Sequence, residues 1–262
     1  MSSSEARFAT PPDAGTARLW WLGQGSFVFE GPRSGPLAVD PYLSNSVGKA
    51  GGPQRLFPAP VAPGELRVSA IFLTHDHTDH TDPDTVPALA AANPHAPIYG
   101  TPESVAHLER LGLECPRVRS LNRGETVTLP GATVHAVHAE HTADSVGLIF
   151  EFDDGPVIYH TADTEYFEGI GDAARYRPDL LSICINGRWG NMGIDDAVKT
   201  AQQVAAREVL PMHWGLFAEN TADPEAFADR LKSAGCPAKV VLLPADGHAH
   251  HTVLRQSQRA TG

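Results

Sequence analysis

His75, Asp76, His77, Thr78, Asp79 and His80 follow one another without a gap. Three imidazoles and two carboxylates crowd into six residues. Neutral imidazole and carboxylate are ligands for Zn²⁺, Mn²⁺, Fe and Co, and two sets at short spacing suggest two ions. Two ions roughly 4 Å apart can acidify a shared water, from a pKa of 15.7 to about 7 for one metal, and can polarise a carbonyl or phosphoryl oxygen. The chemistry on offer is hydrolysis that needs no Ser or Cys nucleophile. An isolated His or Asp in such a place is usually a solvated loop residue or a cap. A triple-His cluster threaded with Asp is hard to explain that way.

The cluster must be held by its neighbours. Residues 68–73 (Val-Ser-Ala-Ile-Phe-Leu) are apolar and rich in β-branched and aromatic types, which predicts a buried strand. The cluster then lies just past a strand's C-terminal end, where α/β folds build their sites. His141 follows a predicted strand at 134–137, Asp163 one at 157–160, and His213 one at 209–212. Each alone is weak, because a lone His after a strand is more often structural. Together they are strong, since mixed strands gather such ends on one rim.

Further strands are predicted at 19–22, 27–30, 36–39, 98–99, 125–129, 132–137, 146–152, 180–185 and 240–243. Helices are predicted at 83–92, with Asp82 as N-cap and Pro83 at the first position, at 102–111 capped by Thr101, at 194–206, and at 224–234 capped by Asp223. The alternation places the chain in the α/β (α+β) class with helices outside the sheets. Residues 44–64 form a long Gly/Pro-rich loop of the kind used as a lid or pocket wall. Residues 1–15 read as a flexible tail and 16–262 as one domain.

The chain resembles the metallo-β-lactamase superfamily. The HxHxDH signature matches His75, His77, Asp79 and His80, and the later His, Asp, His match His141, Asp163 and His213 in order. The resemblance runs from Trp21-Leu22-Gly23 to about Leu243. It implies an αββα sandwich of two mixed sheets and a binuclear site between sheet edges. By family roles His75, His77 and His141 hold one ion, Asp79, His80 and His213 the other, and Asp163 bridges both. Asp79 and His213 are the candidate catalytic residues, Asp79 as a ligand that can also take a proton. Mn²⁺ or Zn²⁺ are the expected ions, with Fe also accepted by such ligands.

Two segments narrow the resemblance: Ile185-Asn186-Gly187-Arg188-Trp189-Gly190-Asn191-Met192-Gly193, and Pro211-Met212-His213-Trp214-Gly215-Leu216-Phe217 running on to Pro224. They are similar to the branch named for ascorbate-6-phosphate lactonase, a manganese enzyme that opens a phosphorylated lactone. The His-Trp-Gly-x-Phe piece also resembles the N-acylphosphatidylethanolamine phospholipase D branch. The chain departs from the pattern at Ala162, where a Gly often stands, and in lacking a His-His string at 212–213.

In residues 186–193, Arg188 offers a fork of donors for a carboxylate or phosphate, Trp189 a flat face for a ring, and Asn186 and Asn191 their amides. These four are the candidate substrate contacts. The competing reading is a Gly/Asn-rich loop with a solvated Arg. Asp40 is a candidate support behind the ligands, an acceptor that would orient a ligand imidazole, or else a turn residue; His160 is a candidate support or else a strand residue. Asn220 reads as a turn residue, His135 and His138 as structural, His95 and His107 as surface residues, and the tract His248, His250, His251 as a solvated loop.

The 262 residues are 42% hydrophobic, enough for a sizeable core, and carry a formal net charge of −11. That charge argues against nucleic acid and anionic membranes as partners. It leaves room for a small anionic substrate and for a homo-oligomer. Cys115, Cys184 and Cys236 are widely spaced and odd in number, as expected of buried thiols in a reducing compartment. With no apolar leader or spanning run, a cytoplasmic location is expected. The reaction expected first is hydrolysis of a small anionic ester, a phosphorylated sugar lactone above all. Phosphodiester hydrolysis is the enzymatic alternative, and a non-catalytic metal-binding scaffold the other.

Overall fold

In the segment Ser26–Gly31, Phe27 and Phe29 alternate with Val28, so the strand has two apolar faces. Phe27 and Phe29 join a core with Phe72, Phe150 and Leu181, whereas Val28 joins a second cluster with Ile71, Val86 and Leu89. A sheet covered on both faces needs a layer on each side. The computed structural model, which describes residues 10–113 and 116–256, supplies a second sheet on one side and helices on the other.

The first half contributes strands β1 (Thr16–Gly23), β2 (Ser26–Gly31), β3 (Gly35–Val39), β4 (Ala70–Leu73), β5 (Ile98–Gly100) and β6 (Val118–Ser120). The second contributes β7 (Thr126–Leu129), β8 (Ala132–His138), β9 (Val146–Phe152), β10 (Val157–His160), β11 (Leu180–Cys184), β12 (Glu208–Met212) and β13 (Lys239–Val240). The last strand, β14 (His250–Leu254), returns to the first sheet. The sheet orders are β14-β1-β2-β3-β4-β5-β6 and β13-β12-β11-β10-β9-β8-β7. Both are mixed: β3 to β6 and β10 to β13 run parallel, and the remaining pairs antiparallel.

Helices are α1 (Ser46–Lys49), α2 (Thr85–Ala92), α3 (Pro102–Arg110), α4 (Ile194–Val204) and α5 (Pro224–Ser233). Val86 and Leu89 of α2 and Leu108 of α3 cover the outer face of the first sheet. Ala197, Ala201 and Val204 of α4 and Phe227 and Leu231 of α5 pack in the core that holds the second sheet. Between the sheets, Phe29 meets Phe150 at 5.1 Å and Phe150 meets Phe72 edge-on at 5.6 Å. Rings at these separations add about 0.5–1.5 kcal/mol per pair beyond their burial. Thr101 and Asp223 cap α3 and α5 through their side chains.

Several boundaries differ from expectation. Regular α2 begins at Thr85, after a turn at 83–84, yet Asp82 still accepts from the Asp84 N–H as a capping carboxylate does. The strand expected at 240–243 shortens to Lys239–Val240. The His-rich tract expected to be a solvated loop contains β14, with His251 paired to Glu208 at 2.6 Å and His250 stacked on Trp20. Of the expected tail, 1–9 lie outside the described residues. From Thr10 the chain is tied down, its carbonyl accepting from Arg18. Cys115 is outside the described residues too, Cys184 is buried, and Cys236 is half-buried. Burial pushes the Cys184 thiol up to about 12, which leaves it inert at neutral pH. Among the described residues no helix is long and apolar enough to cross a membrane.

Candidate metal centre

The parallel strand β4 ends at Leu73 and delivers Thr74 and His75 straight to the rim of the sandwich. A tight turn follows, in which the N–H groups of His80 and Thr81 both donate to the His77 carbonyl. That turn points His75, His77 and His80 into one space. The Thr74 carbonyl accepts from Val146 N–H, and His213 N–H donates to the Gln24 carbonyl. These two bonds lock the first sheet to the second beside the cluster.

The structure brings seven of the expected residues together. His75 Nε2 and His141 Nε2 each lie 3.0 Å from His77 Nδ1. The far nitrogen of each outer ring is engaged: His141 Nδ1 donates to the Gly190 carbonyl at 2.8 Å, and His75 Nδ1 lies 3.0 Å from Thr74 Oγ1. Thr74 Oγ1 donates its own hydrogen to Asp40, so it accepts from His75. Three lone pairs therefore face one point. Burial, aided by the neighbouring His80 and His141, pushes His75 well below and His77 below the ordinary imidazole range. Both are neutral at pH 7, the form that binds a metal.

Asp79, His80 and His213 form the second group. His213 Nε2 lies 3.1 Å from Asp163 Oδ2 and 3.7 Å from Asp79 Oδ2. His80 Nε2 lies 3.5 Å from Asp163 Oδ2. The same Asp163 oxygen is 3.8 Å from His141 Nε2, so one carboxylate reaches both groups. Burial works to raise Asp163, but His213 and His80 outweigh it and hold the carboxyl well below its usual range. Burial likewise works to lower His80, and Asp163, Asp40 and Asp79 together drive it well above.

These residues fit a pair of divalent ions. His80 Nε2 and Asp163 Oδ1 are buried with no hydrogen-bond partner. Facing lone pairs and a buried carboxylate among imidazoles call for a cation between them. Asp40 groups with His75 and His80 by distance, but its bonds show a supporting role. Its Oδ1 accepts from Thr74 N–H at 2.7 Å, and its Oδ2 lies 2.6 Å from Thr74 Oγ1 and 2.8 Å from His80 Nδ1. Such a carboxylate orients the ring and raises its basicity.

His160 lies fully buried beneath the site, with Nδ1 at 2.9 Å from Ser182 Oγ and its ring against Phe27. It ends β10 and contacts no ligand by the hydrogen bonds the structure shows. Burial lowers it to about 4. The unfolded chain then binds the extra proton between about pH 6.5 and 4, so stability is full above 6.5 and is lost as pH falls through that window. At 1.36 kcal/mol per pKa unit, the loss is about 3 kcal/mol. Melting curves of metal-free wild type and His160→Gln should diverge in slope between pH 6.5 and 4. Parallel slopes would contradict this assignment.

The candidate substrate contacts divide. Asn191 lines the cavity and donates through Nδ2 to Asp163 Oδ2 at 2.9 Å and to Asn186 Oδ1 at 3.1 Å. Asn186 is buried behind it and donates to Asn220 Oδ1 at 2.7 Å. Asn220 Nδ2 reaches to 3.5 Å from His213 Nδ1. Three carboxamides thus connect two ligands on the back of the site, and Asn220 is more than the turn residue expected. Trp189 lines the cavity mouth. Arg188 is exposed and is not among the residues lining the cavity. Asp76 turns away to α3, 2.6 Å from His107 Nδ1, which makes His107 a structural partner rather than a plain surface residue.

Gln24 was not expected. It is fully buried in the turn between β1 and β2, with a left-handed φ of 49°. Its Nε2 is 3.3 Å from His213 Nδ1 and 3.5 Å from Asp79 Oδ2. A Gln flanked by two glycines carries no ligand signal in sequence. Its place at a strand end on the site rim was the one available clue. Gln24→Ala is expected to weaken metal affinity about tenfold by freeing Asp79 and His213, measured by chelator competition. Wild-type affinity would contradict that positioning role.

The centre lies in a cavity of about 310 Å³. Val47, Pro53, Trp189 and Phe217 form its apolar walls, and Thr78, Asn191 and Asn220 its polar ones. A second cavity of about 360 Å³ lies beside β8, where His135 and His138 are paired with Glu151 and Glu140.

Comparison with known proteins agrees with this geometry. A profile of the "Beta-lactamase superfamily domain" matches residues 37–214. A UPF0173 metal-dependent hydrolase of Archaeoglobus fulgidus is 34% identical over 241 residues, covering 86% of this chain and 95% of that protein. Another, from Myxococcus xanthus, is 31% identical and covers 87% of this chain and 81% of its own length. Igni18, a metallo hydrolase of Ignicoccus hospitalis, shares the fold with a TM-score of 0.74 at 22% identity, covering 92% of this chain and all of that one. The chain belongs to the beta-lactamase superfamily and, within it, to the UPF0173 family of metal-dependent hydrolases.

Proposed function

We propose that the chain hydrolyses small carboxylic esters, with lactones as the first substrates to expect, through two divalent ions. His75, His77 and His141 would hold one ion, Asp79, His80 and His213 the other, and Asp163 both. The observation that carries this reading is the clustering of all seven side chains at the base of one cavity, which His77, Asp79, His141, Asp163 and His213 line and behind which His75 and His80 lie buried. Among the described residues neither Ser nor Cys lines that cavity, and Thr78 is the one hydroxyl side chain in its wall.

Ions bound there supply Lewis acidity at the scissile carbonyl and make water a nucleophile near neutral pH. Asp79 faces the cavity with 17% of its side chain accessible and is placed to accept a proton from an incoming water. His213, 3.7 Å away, orients that carboxylate. Asn220 lies at the cavity wall, and Asn191, whose two N–H bonds go to Asp163 and Asn186, fixes Asp163. The anionic character expected of the substrate rested on the resemblance to the lactonase branch and on the 185–193 loop, whose Arg188 is not among the residues lining the cavity. A small molecule rather than nucleic acid remains the partner that a net charge of −11 favours.

The test is turnover by protein reconstituted with Mn²⁺ or Zn²⁺, on a lactone panel beside a bis-aryl phosphodiester. Lactone hydrolysis is expected to be the faster reaction. Phosphodiester turnover without lactone turnover would replace this reading with the phosphodiesterase one.

A further inference from the structure

We propose that the part of the substrate remote from the scissile bond is uncharged and apolar, an acyl chain or aryl ring seated against Trp189. The inference rests on the hydrolase reading for its reaction but on the cavity wall for its chemistry. Among the described residues no Lys or Arg lines the cavity. Arg55, on the neighbouring loop, is engaged elsewhere: Nη1 donates to the Tyr42 carbonyl, Nε to the Phe57 carbonyl, and the guanidinium lies 5.0 Å over the Tyr42 ring. A phosphate carried away from the metals would be desolvated here without a cationic partner, which is costly. The four apolar walls instead reward an apolar group in proportion to the area they cover.

Trp189 is 61% exposed, which for the largest apolar side chain asks for an explanation. Its backbone is left-handed at φ 54°, between Gly187 at 65° and Gly190 at 81°. A non-Gly residue in that region is strained and persists only where its surroundings hold it. They do so here. The Gly190 carbonyl accepts from His141 Nδ1, and a Cβ at Gly190 would come within 2.9 Å of that nitrogen. The backbone that carries the indole is therefore tied, one residue on, to a candidate metal ligand. Leu56 and Phe57, also exposed, follow Pro53 on the same loop outside the cavity lining, and the Leu56 N–H is tied to the carbonyl of Leu216, beside Phe217. Three of the five large exposed apolar residues among those described thus belong to the segments around this opening.

The experiment compares γ-lactones with alkyl tails of growing length against a phosphorylated sugar lactone. It uses metal-reconstituted wild type, Trp189→Ala, Trp189→Phe and Arg188→Ala. For the wild type, kcat/KM should rise about fourfold per buried methylene until the cavity is filled. Trp189→Ala should lose at least tenfold on long tails and little on γ-butyrolactone, Trp189→Phe should restore most of it, and Arg188→Ala should change nothing. No dependence on tail length, or a preference for the phosphorylated lactone that Arg188→Ala removes, would overturn the inference and leave the hydrolase reading intact. Calorimetric titration with acetate and octanoate separates the two failures if no ester is turned over. Octanoate binding at least tenfold tighter than acetate, and weakened by Trp189→Ala, would uphold the apolar site while the ester reading falls. Equal binding of the two acids would overturn it.

Discussion

Asp79→Ala should lower kcat/KM by about a thousandfold or more while the protein stays folded. Positioned proton transfer alone contributes about 10²- to 10⁴-fold, and this carboxylate is also one of three side chains grouped for the second ion. The fold has little to lose. The side chain is partly open to the cavity, and the hydrogen bond it accepts from Gln24 is long, at 3.5 Å. Steady-state kinetics beside a thermal melt would separate the two effects. An unchanged rate would remove Asp79 from the chemistry, and with it the reading of this rim as the reactive one.

Asp40→Ala should damage both the site and the fold. The carboxylate is fully buried and serves Thr74 N–H, Thr74 Oγ1 and His80 Nδ1 at once. Its removal frees the His80 ring and leaves a buried, positively biased imidazole without its Nδ1 partner, one of three carboxylates around it. Losing such a support costs metal affinity about 10- to 100-fold. Breaking a buried pair by deleting one member destabilises by about 3–5 kcal/mol. Asp40 also has a left-handed φ of 44°, which Ala tolerates poorly and Asn well. Asp40→Asn should therefore retain more stability than Asp40→Ala while still weakening metal binding. Chelator competition and denaturant melts check the two parts. Wild-type affinity in both variants would show that His80 needs no support from this side.

The candidate ligands were legible because their types are rare at strand ends and they recur at four of them. The β4, β8, β10 and β12 strands that present them were legible from short apolar runs between Gly, Pro and polar turns. Asp40 was legible for the same reason, as an acid directly after β3. Gln24 and Asn220 were not, because an amide gives no ligand signal and their value comes from partners 189 and 34 residues away in sequence. Arg188 stands exposed outside the cavity lining, next to Trp189 within it. An Arg in a Gly/Asn-rich loop looks the same in sequence whether it enters a cavity or stands in water. Strand β14 was missed because its residues are mostly polar and only Val253 of the five is buried. It is held by ladder bonds to β1 and by the Glu208 contact, which are tertiary and invisible to local pattern. The helix α1 was hidden in the 44–64 loop by its length of four residues.

The centre itself is tested most directly by counting metal. Native mass spectrometry with elemental analysis, on protein reconstituted with Mn²⁺ or Zn²⁺ and dialysed, should find two ions per chain in the wild type. In Asp163→Ala, which removes the carboxylate reaching both groups, it should find one or none. Wild-type protein that retains no ion, or an Asp163→Ala variant that still holds two, would contradict a binuclear centre built from these seven residues.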